Sequence, residues 1–262
     1  MNLYRAYAKV NIFLKITGVR DNYHEIISRF MRVESLFDEL SFVKKDDSYS
    51  LDKFDIIGEF SCETSQNTLY KAYIALYKAT QSEALKKLMR DYSIKVDKSI
   101  TAFAGLGGGS SDAATYLKMC NEFLDLGLSL DELATIGLEV GADVPFFVYG
   151  FDSANVSGIG EVVEEFKEPL LDFEVFTPEV QISTPKVYKT YREHFFSPID
   201  ELEAKRLKNS SSKEILKSMN AYDANDLFKP AMQEYKELEK HYENGWHFSG
   251  SGSSFFKIKE EV

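Results

Sequence analysis

The chain has 262 residues and a formal net charge of −11, and 44% of its residues are hydrophobic. This composition supports a folded core, and the acidic balance argues against nucleic acid or an anionic membrane surface as a partner. The two cysteines exclude a disulfide scaffold, and no stretch approaches the ~20 apolar residues of a membrane helix, so we expect a cytoplasmic protein.

The first predicted element is a strand over residues 6–19, in which two sets of residues alternate. Lys9 and Asn11 share one face of it. On a solvent face they would be ordinary surface residues, whereas in a cleft Lys9 would be a cation placed for phosphate, with Asn11 beside it. A turn at 18–22 then leads to Tyr23 and His24, to a β-rich run through Phe42, and to a charged loop over 44–55.

A glycine-rich stretch follows two predicted helices, at 67–79 and 81–90, and a short strand at 92–96. Four glycines lie within residues 105–109, which predicts a loop, and a helix is expected over 110–124 with Ser110 or Ser111 as its N-cap. Asp112 suits the positive end of this helix. A glycine-rich loop that enters a helix N-terminus presents bare N–H groups, so phosphate is the expected guest. The stretch lacks the lysine of a Walker loop and the third glycine of a Rossmann fingerprint.

A carboxylate in an apolar setting comes next. Ser129 and Glu132 predict a capping box for a helix over 129–140, with Gly141 as its C′ residue. Asp143 is the only charge within residues 141–150, at a predicted helix-to-strand junction. Asp143 either caps a local backbone group or holds a carboxylate at the floor of a cleft.

The remainder of the chain predicts a mixture of strands and helices. A turn is expected at 158–160, a strand at 173–177, and a helix with Thr184 as N-cap, Pro185 at its first position and Tyr188 in its first turn. Further helices are expected at 215–219 and 227–242, and a hairpin with a Gly/Ser turn near the end. The histidines and cysteines show no metal-ligand spacing, so no metal-binding residue is predicted.

Five segments, in order, resemble the GHMP superfamily of small-molecule kinases and, within it, the 4-diphosphocytidyl-2-C-methyl-D-erythritol kinase family. They are residues 8–14 (AKVNIFL), 23–25 (YHE), 105–114 (GLGGGSSDAA), 141–147 (GADVPFF) and 249–252 (SGSG). The resemblance implies a two-lobed α+β GHMP-kinase fold with the active site in the inter-lobe cleft. An N-terminal ATP-binding and catalytic lobe would span 1–152 and a C-terminal substrate lobe 153–262.

The same resemblance implies the activity and the residues that perform it. The reaction would be ATP-dependent phosphorylation of the 2-hydroxyl of 4-diphosphocytidyl-2-C-methyl-D-erythritol, giving the 2-phosphate, in non-mevalonate isoprenoid precursor biosynthesis. Asp143 would accept or orient the hydroxyl proton, and Lys9 would stabilise developing charge. His24 would hydrogen-bond the cytosine edge, Tyr23 and Tyr188 would stack on its faces, and Asn11 would contact the substrate.

ATP and Mg²⁺ are the implied co-substrate and cofactor. ATP would be held by one continuous stretch of residues, which are Thr101, Ala102, Phe103, Ala104, Gly105, Leu106, Gly107, Gly108, Gly109, Ser110 and Ser111. Members of the family usually have a proline and more glycine where this chain has residues 101–104, and Phe103 is expected to narrow the nucleotide mouth.

The sequence leaves two alternatives open. The chain could be another GHMP small-molecule kinase, of the homoserine or mevalonate type, or a GHMP-fold protein that binds a ligand without catalysis. Tyr23 and His24, which suit a base, weigh against the first, and the presence of both Lys9 and Asp143 weighs against the second. The expected partner is a small molecule, without nucleic acid or membrane, for a monomer or weak homodimer.

Overall fold

Two long strands open the chain in the computed structural model, which describes residues 2–46 and 54–259. Strands β1 (Tyr4–Arg20) and β2 (Tyr23–Lys44) pair with each other, which confirms the strand predicted over 6–19. Most of the loop predicted over 44–55 lies outside the described residues. In the part of the chain that is described, no helix is long and apolar enough to cross a membrane.

The chain packs as two compact units, and both long strands contribute to each. Unit 1 comprises Met1–Ala8, Leu36–Ala102 and Gly108–Gly150, and unit 2 comprises Lys9–Ser35, Phe103–Gly107 and Phe151–Val262. These units are discontinuous along the chain because β1 and β2 cross from one to the other. The contiguous lobe boundary expected after residue 152 stays a prediction.

Unit 1 combines one end of a sheet with a group of helices. Its strands are the end of β2, the antiparallel β4 (Tyr92–Asp97) and β3 (Ile56–Ile57), which runs parallel to β4. Its helices are α1 (Thr68–Thr80), α2 (Glu83–Asp91), α3 (Gly108–Phe123), α4 (Leu130–Leu138) and α5 (Val144–Tyr149). Helices α1, α3, α4 and α5 pack on one another and bury their apolar faces.

Local capping chemistry explains where the correctly predicted helices begin. The Asn67 side chain accepts a hydrogen bond from the N–H of Leu69 at the start of α1. Ser129 and Glu132 form the predicted capping box of α4, each side chain satisfying a backbone N–H of the other. These bonds satisfy donors that the first helical turn would otherwise leave unpaired.

Three predictions in unit 1 were wrong. Helix α3 begins at Gly108, so Ser110 and Ser111 lie inside its first turn and neither is the N-cap. Gly141 does not adopt the left-handed conformation of a C′ glycine, because α4 already ends at Leu138. The apolar run after Asp143 is helix α5 and not a strand, with a proline in its first turn.

The described part of unit 2 contains the other end of the first sheet, a second sheet and five α-helices, besides a π-helical turn (Tyr191–Phe195) and a 3₁₀ turn (Lys236–Lys240). Strand β5 (Ser153–Gly158) pairs antiparallel with residues 26–31 of β2, and β6 (Val162–Glu165) pairs with β5. The second sheet has the order β7 (Phe173–Phe176), β9 (Phe255–Ile258), β8 (His247–Phe248), and all pairs are antiparallel. The helices are α6 (Thr184–Thr190), α7 (Glu201–Asn209), α8 (Ser212–Ser218), α9 (Ala221–Ala224) and α10 (Phe228–Glu234).

Unit 2 departs from prediction mainly in its polar segments. Strands β5 and β6 and helix α7 were not predicted, because their sequences lack a clear apolar period. Ser183, and not Thr184, occupies the N-cap position of α6, so Tyr188 lies in the second turn of that helix. The helix predicted over 227–242 is interrupted at Tyr235, where α10 gives way to a 3₁₀ turn.

Candidate active site

Lys9 and Asn11 are buried, with 3% and 2% of their surfaces exposed, so their interpretation as surface residues was wrong. The Lys9 ammonium donates to Asn11 Oδ1 at 2.6 Å and to the carbonyl of Gly105 at 3.2 Å, and it lies 4.4 Å from the Phe30 ring centroid. Asn11 Nδ2 donates to the hydroxyl of Ser28 at 2.9 Å. The pair is therefore held in one arrangement by strand β2 and by the glycine loop.

The terminal hairpin turn packs against the start of the glycine loop. The Ser249 hydroxyl donates to the Gly105 carbonyl at 2.9 Å and accepts from the N–H of Asn11 at 3.3 Å, and the N–H of Ser254 donates to the Ala104 carbonyl at 3.0 Å. Gly105 has a φ of 76°, and a Cβ there would lie 2.1 Å from the Ser249 carbonyl oxygen. Only glycine allows this close approach.

Asn225 also orders the hairpin turn, and no pattern in the sequence indicated this role. It is 1% exposed, and its Nδ2 donates to the carbonyls of Phe248 at 2.9 Å and Gly250 at 2.8 Å. Its Oδ1 accepts from the N–H of Leu227 at 2.9 Å. An asparagine before a helix is too common a pattern to have revealed this role.

The stretch expected to bind ATP runs from an exposed loop into the first turn of α3. Residues 101–103 are exposed, and Phe103 has a φ of 56° with 61% of its surface exposed. Leu106 is buried, and its carbonyl accepts from the N–H of Lys9 at 2.9 Å. Helix α3 begins at Gly108, so helix geometry leaves the N–H groups of residues 108–110 without a carbonyl one turn back, and these donors lie at a positive helix end.

Asp112 was expected at the positive end of its helix, but α3 begins four residues earlier, at Gly108, so Asp112 lies beyond the first turn. It is 3% exposed, and its Oδ2 accepts from the Lys98 ammonium at 2.8 Å. Burial, which outweighs the attraction of Lys98, raises the pKa of Asp112 to about 7. A buried charge network thus lies behind the first turn of α3.

The structure brings His24 and Tyr188 together. Their ring centroids are 5.1 Å apart at 31°, and Tyr191 lies 5.8 Å from His24 in an edge arrangement. The His24 Nε2 is buried, and no described residue offers it a hydrogen bond. Burial, followed by the charge of Arg192, lowers the pKa of His24, so the imidazole is neutral at pH 7.

Tyr23 is placed differently from the other predicted base-binding residues. It is 64% exposed, and as the strand neighbour of His24 it points to the opposite face of β2. Its role as a stacking residue stays a prediction.

Asp143 lies half-buried at the N-cap position of α5, and its side chain makes no capping hydrogen bond there. Asp143 therefore does not cap α5, and its interpretation as a residue that caps another local backbone group stays a prediction. Asp143 belongs to unit 1 and Lys9 to unit 2, and their joint catalytic role stays a prediction.

Comparison with known proteins identifies the family. Residues 67–151 match the N-terminal domain of GHMP kinases. The chain is 66% identical to the 4-diphosphocytidyl-2-C-methyl-D-erythritol kinase of Sulfurimonas denitrificans, over 100% of this chain and 98% of the relative. This chain belongs to the 4-diphosphocytidyl-2-C-methyl-D-erythritol kinase family. The kinase of that name from Sulfurovum sp. is 43% identical over 97% of this chain and 98% of its own length.

Solved structures confirm the GHMP-kinase fold, a mixed α/β fold with two sheets. A crystal structure of 4-(cytidine 5'-diphospho)-2C-methyl-D-erythritol kinase matches with a TM-score of 0.75 and 28% identity, over 99% of this chain and 90% of that one. The mevalonate kinase of Methanococcus jannaschii matches with a TM-score of 0.61 at 14% identity, over 99% of this chain and 90% of that one, which shows a shared fold alone. The family assignment therefore rests on the sequence relatives, and the likeness to mevalonate kinase adds only the shared architecture.

Proposed function

We propose that this chain transfers the γ-phosphoryl group of ATP to the 2-hydroxyl of 4-diphosphocytidyl-2-C-methyl-D-erythritol and forms the 2-phosphate. The proposal is carried by the 66% identity, over the full chain, to a kinase of that name. The buried lysine and the cluster of amide donors support it, since phosphoryl transfer depends on positioning and charge stabilisation. A cytoplasmic location and a monomeric or weakly dimeric state remain predictions.

The phosphates of ATP would be bound by backbone. Gly107 adopts a φ of 73°, and no side chain at residues 107–109 obstructs an approaching anion. The N–H groups of residues 108–110 would donate to phosphate oxygens, and the α3 dipole would favour the negative charge of the phosphates. Because these donors are fixed by the helix, they need little rearrangement when ATP binds.

Mg²⁺ fits this site as the partner of ATP. Among residues 2–46 and 54–259 no group of three or more His, Cys, Asp or Glu side chains could hold a metal ion. Mg²⁺ commonly takes substrate phosphates and water as ligands with few protein groups, so such a cage is not needed. When bound, Mg²⁺ neutralises charge on the transferring phosphoryl group.

Lys9 would stabilise the charge that develops on the transferred group. Its ammonium is oriented by Asn11 Oδ1 and by the Gly105 carbonyl, which belongs to the loop that would hold the phosphates. Asp143 would accept or orient the proton of the attacking hydroxyl. A loose transition state requires little early proton removal, so orientation of the hydroxyl is the main contribution assigned to Asp143.

His24 would recognise the cytosine edge. A neutral imidazole has one nitrogen that donates and one that accepts, which suits the mixed donors and acceptors of that edge. The buried Nε2 without a described partner is a group that a ligand could satisfy. Tyr188, beside His24, offers its ring for stacking on the base.

The first experiment measures ADP release by the purified protein with ATP and each of three alcohols: the cytidylyl substrate, homoserine and mevalonate. Activity confined to the cytidylyl substrate is expected. Equal or greater turnover of another alcohol would refute the substrate assignment, and no turnover of any would favour a ligand-binding protein without catalysis.

Variants then test the residue roles. Lys9→Met and Asp143→Asn should each lower kcat by at least about 100-fold while ATP still binds. Lys45→Met is the matched control, because Lys45 is also a buried lysine but donates to the Met89 carbonyl within unit 1. His24→Ala should mainly raise the KM of the cytidylyl substrate. Near-normal turnover of either catalytic variant, or a pure kcat loss in His24→Ala, would contradict the assigned role.

A further inference from the structure

A buried charge network lies at the start of helix α3, and no step of the proposed reaction uses it. The Lys98 ammonium donates to Asp38 Oδ2 at 2.5 Å and to Asp112 Oδ2 at 2.8 Å. The side chains of Asp38 and Asp112 are 0% and 4% exposed, and that of Lys98 is 18% exposed. One ammonium therefore bridges two carboxylates that have almost no contact with water.

The network joins three segments that surround the first turn of α3. Asp38 belongs to strand β2, and its Oδ1 also accepts from the N–H groups of Ser99 at 2.6 Å and Ile100 at 2.8 Å. Lys98 belongs to the segment that leads into the glycine loop, and Asp112 belongs to α3 itself. The Lys98 side chain thus links strand β2 and helix α3 to the segment that precedes the glycine loop.

A second contact extends the network to the glycines. A Cβ at Gly108, the first residue of α3, would lie 2.8 Å from the Ile100 side chain, so Ile100 and Gly108 are in close contact. Ile100 is itself held through its N–H by Asp38. Two contacts therefore fix the position of the start of α3. Gly108 packs against Ile100, and Asp112 pairs with Lys98.

The arrangement is costly for a purely structural element. Asp112 Oδ1 is buried, and no described residue donates a hydrogen bond to it. A buried carboxylate with an unpaired oxygen loses solvation that a single ion pair does not restore, and well-packed apolar residues could hold the same segments at lower cost. Such a loss of solvation free energy is understandable if function depends on the exact position of the first turn of α3.

We propose that the side chains of Lys98 and Asp112, together with Asp38, position the first turn of α3 for ATP. They act through the backbone of residues 108–110 and are positioning residues. This inference rests on the proposed function, in which those residues supply the phosphate-binding amides. It assigns to Lys98 and Asp112 an effect on ATP affinity that is separate from substrate recognition and from chemistry.

The test compares three variants with ATP and the cytidylyl substrate varied separately. Lys98→Met removes the bridge and should raise the KM and the directly titrated Kd for ATP by about tenfold, a factor that corresponds to ~1.4 kcal/mol. Asp112→Ala should do the same. Asp112→Asn keeps an oxygen that can accept from Lys98 and should retain ATP affinity within about threefold, with substrate KM unchanged in all three variants.

A destabilised control separates positioning from general loss of stability. Leu133→Ala removes a side chain of α4 that is 2% exposed and lies in the same unit, on a helix that contributes no residue to the network. It should lower Tm without changing ATP affinity. The inference would be overturned if Asp112→Ala and Asp112→Asn bound ATP equally well. It would also be overturned if Leu133→Ala lost as much ATP affinity as Lys98→Met.

The ATP titration also separates failure of the inference from failure of the proposed function. It contains no acceptor, so it reports on the network whatever alcohol the enzyme uses. If Lys98→Met does not fold, the Asp112→Ala and Asp112→Asn pair gives the decision by itself. Wild-type ATP binding without turnover of the cytidylyl substrate would reject the proposed function and leave the positioning inference standing.

Discussion

Replacement of Asp112 with Asn should remove a pH-dependent loss of stability from this protein. The ordinary pKa of the side chain is 3.8, and burial, followed by the opposing charge of Lys98 and the like charge of Asp38, leaves it at about 7 in the folded state. The folded state therefore binds this proton more tightly than the unfolded state. The stability that this proton contributes is complete below pH 3.8 and is lost as the pH rises to 7.

The magnitude follows from the two pKa values of Asp112. Each pKa unit is worth ~1.4 kcal/mol, so the rise from 3.8 to about 7 corresponds to a total loss of the order of 4 kcal/mol. About 2 kcal/mol of this falls between pH 5 and pH 7, and less than about 1 kcal/mol more is lost above pH 7, mostly before pH 8. An asparagine has the shape and hydrogen bonding of the protonated carboxyl and does not titrate.

The assay is urea unfolding of the wild type and of Asp112→Asn at pH 5 and pH 8. Far-UV circular dichroism is the suitable signal, because the single tryptophan, Trp246, lies in unit 2 and Asp112 lies in a helix of unit 1. The difference between the two proteins cancels the titration of all other groups. From pH 5 to pH 8, the free energy of unfolding of the variant should rise by about 3 kcal/mol relative to that of the wild type.

A constant stability difference from pH 5 to pH 8 would refute the reasoning. It would mean that Asp112 is ionised in the folded state throughout this range and that Lys98 fully compensates for its burial. If the wild type instead became more stable relative to the variant as the pH rises, the attraction of Lys98 for the Asp112 carboxylate would outweigh the desolvation of that carboxylate.

Two further predictions concern tightly packed residues of unit 2, Gly105 and Arg29. Gly105→Ala should lower Tm and raise the KM for ATP, because the new Cβ would lie 2.1 Å from the Ser249 carbonyl oxygen. Gly127→Ala is the control: Gly127 also has a positive φ, but a Cβ there would have no atom within 4 Å. This control should lower Tm less and leave the KM for ATP unchanged. Similar KM values for the two variants would argue against close packing at Gly105. Arg29→Met should destabilise by about 3–5 kcal/mol in urea unfolding, since it leaves the buried Glu168 without its cation. Additional Glu168→Gln should recover part of that loss, and strict additivity of the two changes would contradict a direct pairing.

Much of the fold could be predicted because its signals are local. Alternation in residues 6–19 marks β1, and capping residues mark the starts of α1 and α4 within one turn of chain. The predictions of secondary structure failed where one sequence pattern is compatible with two kinds of element. The apolar run after Asp143 suits a buried strand or a short helix equally, and periodicity alone does not separate them.

The residue set of the candidate site was also visible in the sequence, whereas its environment was not. Alternation along a strand puts Lys9 and Asn11 on one face, but it does not say what covers that face. The cover includes Ser249, which is separated from Asn11 by 238 positions in the chain. The buried setting of His24 likewise depends on Tyr188 and Tyr191, which come from a helix far along the sequence.

By itself, the amino-acid sequence determined the family and the reaction class, and it predicted a phosphate site at the glycine-rich loop, because these depend on residue types at short, fixed spacings. Only the tertiary structure decided that both sides of β1 near Lys9 are covered, that α3 starts within the glycines, and that Lys98 bridges Asp38 and Asp112. Burial and ion pairing arise between residues that are distant in the chain. Their strength depends on how much water the completed fold excludes, which no local pattern records.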